Sequence, residues 1–155
     1  MASKASAAAG SAPAKSPAKK PTRKKAPAES RELAALVSAA AEEHKVLSPV
    51  LLNLAGLSQV TDFYYVASCE SSRKVKAVAE KIVQKLKEFG VRALGVEGVA
   101  ASDARWALLD FGDVIVHIFH PEARELYDLE GLWADAPRVD AASLVAQARG
   151  RSRGA

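Results

Sequence analysis

The stretch from Trp106 to Phe119, WALLDFGDVIVHIF, consists of two apolar runs on either side of Gly112. A glycine between two β-prone runs is typical of a tight turn, so this stretch predicts a β-hairpin. Side chains alternate across a strand, and in residues 114–119 both of the resulting faces are apolar except at His117. The second strand of the hairpin is therefore expected to lie in the centre of a sheet that is covered on both sides.

Helical and strand patterns alternate along the rest of the chain. Between residues 71 and 89 the apolar side chains recur at the spacing of one helical face, and Gly90 can form a left-handed C-terminal cap. Ser30 is expected to cap a helix over 31–44, and Pro121 to begin a later one. Further predicted strands cover 50–54, 62–68 and 92–95. This order predicts a single α/β domain with a mixed β-sheet flanked by helices.

The two ends of the chain are basic, whereas the middle is acidic. Residues 1–30 carry seven Lys and Arg against one Glu, and residues 31–140 carry twelve against seventeen Asp and Glu. The N-terminal stretch contains no Val, Ile, Leu, Phe, Tyr or Trp, so burial cannot offset the entropy cost of ordering it. We therefore predict a disordered basic Ala/Lys/Pro tail (1–30), a folded domain (31–136) and a basic C-terminal tail (137–155), with a short helix near 141–149.

Composition also bears on the compartment. A single cysteine, Cys69, allows no intramolecular disulfide and no multi-cysteine zinc site, which fits a reducing environment. The longest apolar runs fall far short of the roughly 20 residues that a membrane-spanning helix requires. We expect a cytoplasmic protein that does not cross a membrane.

Acidic residues around the hairpin are the candidates for catalysis. A metal-dependent nucleotidyl transfer site typically needs two carboxylates two residues apart on one face of a strand. Asp110 and Asp113 are three apart, and Glu97 lies in a predicted Gly-Val-Glu-Gly turn. His117 and His120 are also three apart, which favours a structural role for His117 over metal binding. No metal or cofactor site is predicted, and a small magnesium-dependent nucleotidyltransferase using the three acids is the enzymatic alternative.

Several motifs occur together and in a fixed order between Asp62 and Trp133. They are TDFYYVAS at 61–68, S-x-R-x-V-x-A-x-A at 71–79, LGVEG at 94–98, WALLDFGDVIVHIF at 106–119 and RELYDLEGLW at 124–133. On these motifs the chain resembles the ribosomal silencing factor family, also called the Iojap family, over about residues 31–136.

The resemblance implies a factor that binds the large ribosomal subunit through ribosomal protein L-fourteen and blocks its joining to the small subunit. Translation would then be repressed under nutrient limitation. The resemblance further implies a nucleotidyltransferase-like core without the catalytic metal pair, no enzymatic activity, and a homodimer when the protein is free. Two stretches depart from the family pattern: Cys69-Glu70-Ser71 replaces the usual Gly-Thr-Ser, and Arg73-Lys74-Val75 replaces the usual Arg-His-Val.

One face of the first hairpin strand provides the main candidates for binding a partner. Trp106, Leu108 and Asp110 share that face, and an aromatic anchor beside a charge is typical of interface hot spots. The alternative is that Trp106 packs in the core. Together with the hairpin turn and the following helix, the partner-binding candidates are Trp106, Leu108, Asp110, Asp113, Tyr127 and Asp128.

Basic side chains provide candidates for RNA contact. The helix over 71–89 carries Lys74, Lys81 and Lys85 near its solvent side, with a merely solvated face as the alternative. The basic N-terminal tail is a second candidate for contact with ribosomal RNA, with a solubilising role as its alternative. A protein that binds RNA mainly through residues 1–27 is therefore a third functional hypothesis.

Overall fold

The computed structural model describes residues 28–100 and 102–154, with side chains described as far as Gln147. The elements are α1 (Ala28–Glu42), β1 (Leu47–Asn53), β2 (Phe63–Ser68), α2 (Ser72–Glu88), β3 (Gly95–Glu97), β4 (Trp106–Asp110), β5 (Val114–Phe119), α3 (Pro121–Tyr127), α4 (Leu129–Leu132), β6 (Arg138–Val139) and α5 (Ala141–Gly154). Most of the predicted basic tail, residues 1–27, lies outside the described residues.

The six strands form one mixed sheet in the order β3-β4-β5-β2-β1-β6. β2 and β5 run parallel, whereas the other neighbouring pairs are antiparallel. The predicted fold class, a single α/β domain with a mixed sheet flanked by helices, is confirmed.

The predicted hairpin forms the centre of this sheet. Phe111 N donates to Val114 O at 2.9 Å across the turn, and Gly112 adopts a φ of 90°, which glycine adopts without steric cost. β5 lies between β4 and β2, and all of its residues are buried. The prediction of a central strand covered on both faces is therefore confirmed.

Two apolar layers lie on opposite faces of the sheet. On one face, α1, α2 and α5 pack against strand residues such as Tyr65, Leu109 and Val116. On the other face, the short helices α3 and α4 and the residues that follow them cover a second layer, which includes Tyr64 and Phe119. The two faces of each central strand thus belong to different layers.

The long helix α2 has the predicted bounds to within one residue. Ser71 is its N-cap, and the Ser71 hydroxyl accepts from Lys74 N at 3.2 Å. After the helix, Gly90 takes a φ of 83° and Val91 N donates to Leu86 O at 2.9 Å. This hydrogen bond satisfies a carbonyl group that would otherwise be free at the end of the helix, and the left-handed cap predicted at Gly90 is observed.

The C-terminal boundary at residue 136 was predicted wrongly. β6 pairs with β1 through Val139 and Leu51, and Asn53 N donates to Pro137 O at 2.9 Å. α5 packs on α1 and buries Leu144 in the first apolar layer. The short helix predicted near 141–149 is observed as α5, whereas β6 was missed because a two-residue strand is too short for an alternation pattern and forms only where β1 offers a free edge.

Three other boundaries also differ from the prediction. α1 begins at Ala28, so Ser30 is not its N-cap but lies inside the helix, where its hydroxyl donates to Asp62 Oδ2 at 2.6 Å. β1 begins at Leu47, before the predicted residue 50, with a register irregularity between Leu47 and Val50. The strand predicted at 92–95 is displaced to Gly95–Glu97.

Within the part of the chain that the structure describes, none of the helices has the length and apolar character required to traverse a lipid bilayer.

Candidate functional site

Trp106, the first candidate for an exposed anchor, is buried in the second apolar layer. Its side chain is 8% exposed, and its ring centroid lies 4.9 Å from that of Phe119 and 4.7 Å from that of Tyr127. The indole Nε1 donates to His117 Nδ1 at 3.1 Å. The structure therefore places Trp106 in the core, which was the alternative to an exposed anchor.

Leu108 and Asp110, which share the face of Trp106, are buried as well. Asp110 Oδ1 accepts from Gly112 N at 2.8 Å, so the carboxylate supports the hairpin turn. The expectation that this face of β4 is open to a partner is wrong. Alternation along a strand separates its two faces, but it does not reveal that helices cover the second face too.

His117 is a core histidine, as the sequence predicted. Burial lowers the pKa of His117 to about 3, because the charged ring would lose its hydration. Nδ1 accepts from Trp106, so the neutral ring carries its proton on Nε2, which is buried and has no partner among the described residues. His120 instead serves as N-cap of α3, and its Nδ1 accepts from Glu122 N at 3.3 Å.

A left-handed residue joins α3 to α4 and fixes the position of their exposed side chains. Asp128 has a φ of 47°, and its Oδ1 accepts from Gly131 N at 3.1 Å. A β-carbon at Gly131 would collide with the Asp128 carboxylate, so any other residue at that position would require this side chain to move. Asp128 is exposed and the neighbouring Tyr127 is half-buried.

Arg124 holds the α3–α4 turn against the sheet. Its guanidinium donates to both oxygens of Glu130, from Nε at 3.3 Å and from Nη2 at 2.8 Å. Nη1 donates to Ser68 Oγ at 3.0 Å and to the Leu47 carbonyl oxygen at 3.3 Å. The hydrogen bond from Arg124 lowers the pKa of Glu130. This pair was not predicted from the sequence, where opposite charges six residues apart are the only local signal.

An open groove of about 680 Å³ lies between the start of β4 and α3. It is lined by Arg105, Trp106, Glu122, Ala123, Glu125, Leu126 and Tyr127. Leu126 is 58% exposed, and Arg105 forms an ion pair of 2.7 Å with Glu122. We refer to these seven residues as the α3 groove. The structure thus brings the candidates Trp106 and Tyr127 together on one groove, with Asp128 next in sequence.

The remaining acidic candidates do not converge. Asp113 is exposed at the hairpin turn, and its carbonyl oxygen accepts from Asp62 N and Phe63 N, both at 3.0 Å. Glu97 is exposed on the edge strand β3, where it pairs with Leu108. Across residues 28–100 and 102–154, no three His, Cys, Asp or Glu side chains are grouped to hold a metal ion.

Cys69 follows β2 and is buried. Burial raises the pKa of its thiol to about 11, so the side chain remains protonated at neutral pH. This environment suits a packing role better than a nucleophilic one.

The three lysines proposed for RNA contact lie on α2. Lys81 is exposed, and Lys74 and Lys85 are half-buried. Lys85 Nζ is 3.7 Å from Glu43 Oε2. These residues lie on the helix layer opposite the α3 groove.

Comparison with known proteins places the chain in a family. Residues 27–155 match the family model described as ribosomal silencing factor during starvation. A ribosomal silencing factor of Halalkalibacterium halodurans is 36% identical over 116 residues, which cover 75% of this chain and 97% of the relative. A mouse protein named mitochondrial assembly of ribosomal large subunit protein 1 is 36% identical over 76 residues, covering 47% of this chain and 32% of that protein.

A solved structure supports the same assignment. The crystal structure of a Chromobacterium violaceum protein superimposes with a TM-score of 0.64 at 38% identity and covers 67% of this chain and 85% of that one. Sequence motifs, family model and fold therefore agree. The chain belongs to the ribosomal silencing factor family.

Proposed function

We propose that this protein binds the large ribosomal subunit through ribosomal protein L-fourteen and thereby blocks joining of the small subunit. Translation would be repressed in this way when nutrients are limiting. Family membership is the observation that carries the proposal. The name of the mouse relative, which refers to assembly of the large ribosomal subunit, supports the choice of that subunit.

The α3 groove is the surface that we propose for this contact. Glu122 and Glu125 against Arg105 leave its rim with a net negative charge, and Leu126 offers an exposed apolar side chain beside them. A ribosomal protein that packs against RNA phosphates is expected to be basic, so its charge would complement this rim. An apolar anchor within a charged rim is also the composition of a protein interface.

The six partner-binding candidates would contribute in different ways. Trp106 and Tyr127 would form the wall of the groove, and Asp128 would add an exposed charge next to it. Leu108 and Asp110 are buried and would contribute indirectly, by stabilising the strand β4 that carries Trp106. Asp113 lies beyond the far end of β4, more than about 14 Å along the sheet from Trp106, and would make a separate contact.

This function requires no chemical step. A folded domain that occupies the joining face of one subunit excludes the other by its volume alone. We therefore propose that the protein acts without cofactor or metal, and that any association of free copies is separate from its inhibitory effect.

The substitution Leu126→Ser tests the α3 groove. We expect at least about a tenfold loss of affinity for purified L-fourteen, because a central apolar anchor contributes about 1.4 kcal/mol or more. Affinity is measured by calorimetry, and inhibition of subunit joining by light scattering with purified subunits. The variant should need a correspondingly higher concentration to inhibit joining.

Leu57→Ser is the matched control. Leu57 is 46% exposed in the loop between β1 and β2, at the other end of the sheet from the groove. It should keep the wild-type affinity. Normal subunit joining at saturating wild-type protein would refute the proposed function, whereas inhibition that Leu126→Ser leaves unchanged would refute only the choice of surface.

A further inference from the structure

The helix α2 gives the protein a basic surface on the face of the sheet opposite the α3 groove. Residues 70–92 carry seven Lys and Arg against three Glu, whereas residues 121–136 carry one Arg against five Asp and Glu. α2 packs on β4 and β5 through its buried apolar side chains, and α3 contacts β5 from the other side. α2 and the α3–α4 segment thus carry net charges of opposite sign and lie on opposite faces of the sheet.

Three of the α2 lysines form a stripe along one flank of the helix. Lys74, Lys81 and Lys85 are seven and four residues apart, which places them in register on an α-helix. With a rise of about 1.5 Å per residue, the stripe is about 16 Å long. Among the described residues, Lys74 and Lys81 have no salt-bridge partner, and Lys85 has only the 3.7 Å contact with Glu43. We call these three residues the basic stripe.

We propose that the basic stripe binds the phosphate backbone of RNA and forms a contact surface separate from the α3 groove. Long, flexible ammonium side chains in a row neutralise successive phosphates and release their counterions. An acidic protein partner would need an apolar centre to the interface. The exposed residues of α2 include no large apolar side chain, since they are Arg73, Ala77, Glu80, Lys81, Gln84, Lys87 and Glu88; the exposed Phe89 follows the last residue of the helix.

An RNA-binding basic stripe suits a protein that acts at the ribosome, but RNA binding by the stripe does not depend on binding to L-fourteen. Phosphate contacts fix position and carry no sequence information. The basic stripe would therefore orient the domain on structured RNA, whereas the α3 groove would select the protein partner. The two contacts can be measured one at a time.

The test replaces the three lysines in the full-length protein as Lys74→Gln, Lys81→Gln and Lys85→Gln. Binding to a fluorescent RNA duplex of about 20 base pairs, longer than the stripe, is followed by anisotropy over a series of KCl concentrations. We expect at least about a tenfold loss of affinity at low salt. The slope of log K against log salt should fall in magnitude by about 2 to 3, because each lysine that no longer neutralises a phosphate removes about one unit.

A control with the same change in net charge is available on the same helix. Arg73→Gln, Lys76→Gln and Lys87→Gln alter the other flank and should keep the wild-type salt slope. Circular dichroism verifies that both triple variants are folded, and the N-terminal tail is present in every protein compared.

Three results would overturn the proposal. Equal losses in the two triple variants would show a response to net charge alone. Similar weakening of binding to poly-glutamate would indicate an acidic protein as the partner. Failure of the wild-type protein to bind the duplex at low salt would exclude RNA as the ligand of the basic stripe.

Discussion

At the scale of single residues, His117 is the polar exception in an apolar sheet. Its ring contacts Tyr64, with centroids 4.4 Å apart, and accepts the indole proton of Trp106. The hydrogen bond offsets part of the cost of burying both polar groups. Replacing Trp106 would therefore remove a large aromatic side chain from the core and leave His117 Nδ1 without its donor.

Burial of His117 makes stability depend on pH. In the unfolded chain the imidazole binds a proton near its ordinary pKa of about 6.5, whereas in the folded protein the pKa is about 3. Between these values the unfolded state binds more protons, so the contribution of His117 is complete above about pH 6.5 and is lost as the pH falls toward 3. The expected slope for one proton is about 1.4 kcal/mol per pH unit.

The substitution His117→Gln tests this dependence. The amide can still accept from Trp106 but does not titrate, so the variant should lose less stability than the wild type as the pH is lowered. Urea unfolding at pH values from 7.5 to 4.5 measures the difference. Each protein is referred to its own stability at pH 7.5, which removes any constant packing cost. Parallel pH profiles would contradict the buried, neutral state of His117.

At the scale of elements, α3 and α4 are too short to be stable by themselves. Their position depends on Arg124, which connects both helices to Leu47 and Ser68 at the ends of β1 and β2. The side chains of Arg124 and Glu130 are only 12% and 20% exposed. Loss of the arginine would leave a largely buried carboxylate without its partner, which is costly.

Arg124→Ala is therefore expected to destabilise the protein by about 3 kcal/mol. Arg105→Ala is the matched control, because Arg105 pairs with Glu122 in a solvent-exposed ion pair, for which less than about 1 kcal/mol is typical. Chemical denaturation of the two variants gives both values. Equal and small losses would show that Arg124 does not hold the two helices in place.

At the scale of the whole molecule, the C-terminal segment closes one edge of the fold. β6 occupies the free edge of β1, and α5 covers α1 with Leu144 among its buried residues. The family model extends over this segment, in agreement with its position in the domain. Although the C-terminal segment is basic, its apolar residues pack in the core.

Deletion of residues 137–155 should lower the free energy of unfolding by at least about 3 kcal/mol, because it exposes apolar surface on α1 and removes the β6 pairing. Thermal and urea unfolding measure the loss. Deletion of residues 1–27, which contain no Val, Ile, Leu, Phe, Tyr or Trp, is the control and should have little effect. Wild-type stability in the C-terminal truncation would contradict a structural role for the segment.

The sequence predicted the elements whose apolar pattern is long enough to be diagnostic. The hairpin around Gly112, the central strand ending at Phe119 and the helix capped by Ser71 are all observed. The motifs between Asp62 and Trp133 also identified the family, which the family model and the relatives confirm. The partner-binding roles of individual residues stay proposals.

The sequence by itself determined which elements form and which of their faces are apolar, because periodicity is a local property of the chain. Tertiary structure alone decided what covers each face. The burial of Trp106, the pairing of β6 with β1 and the contacts of Arg124 with Leu47 and Ser68 depend on segments that are distant in sequence, up to the 88 residues between Leu51 and Val139. Such contacts arise when the folded chain brings distant residues together, so no local pattern encodes them.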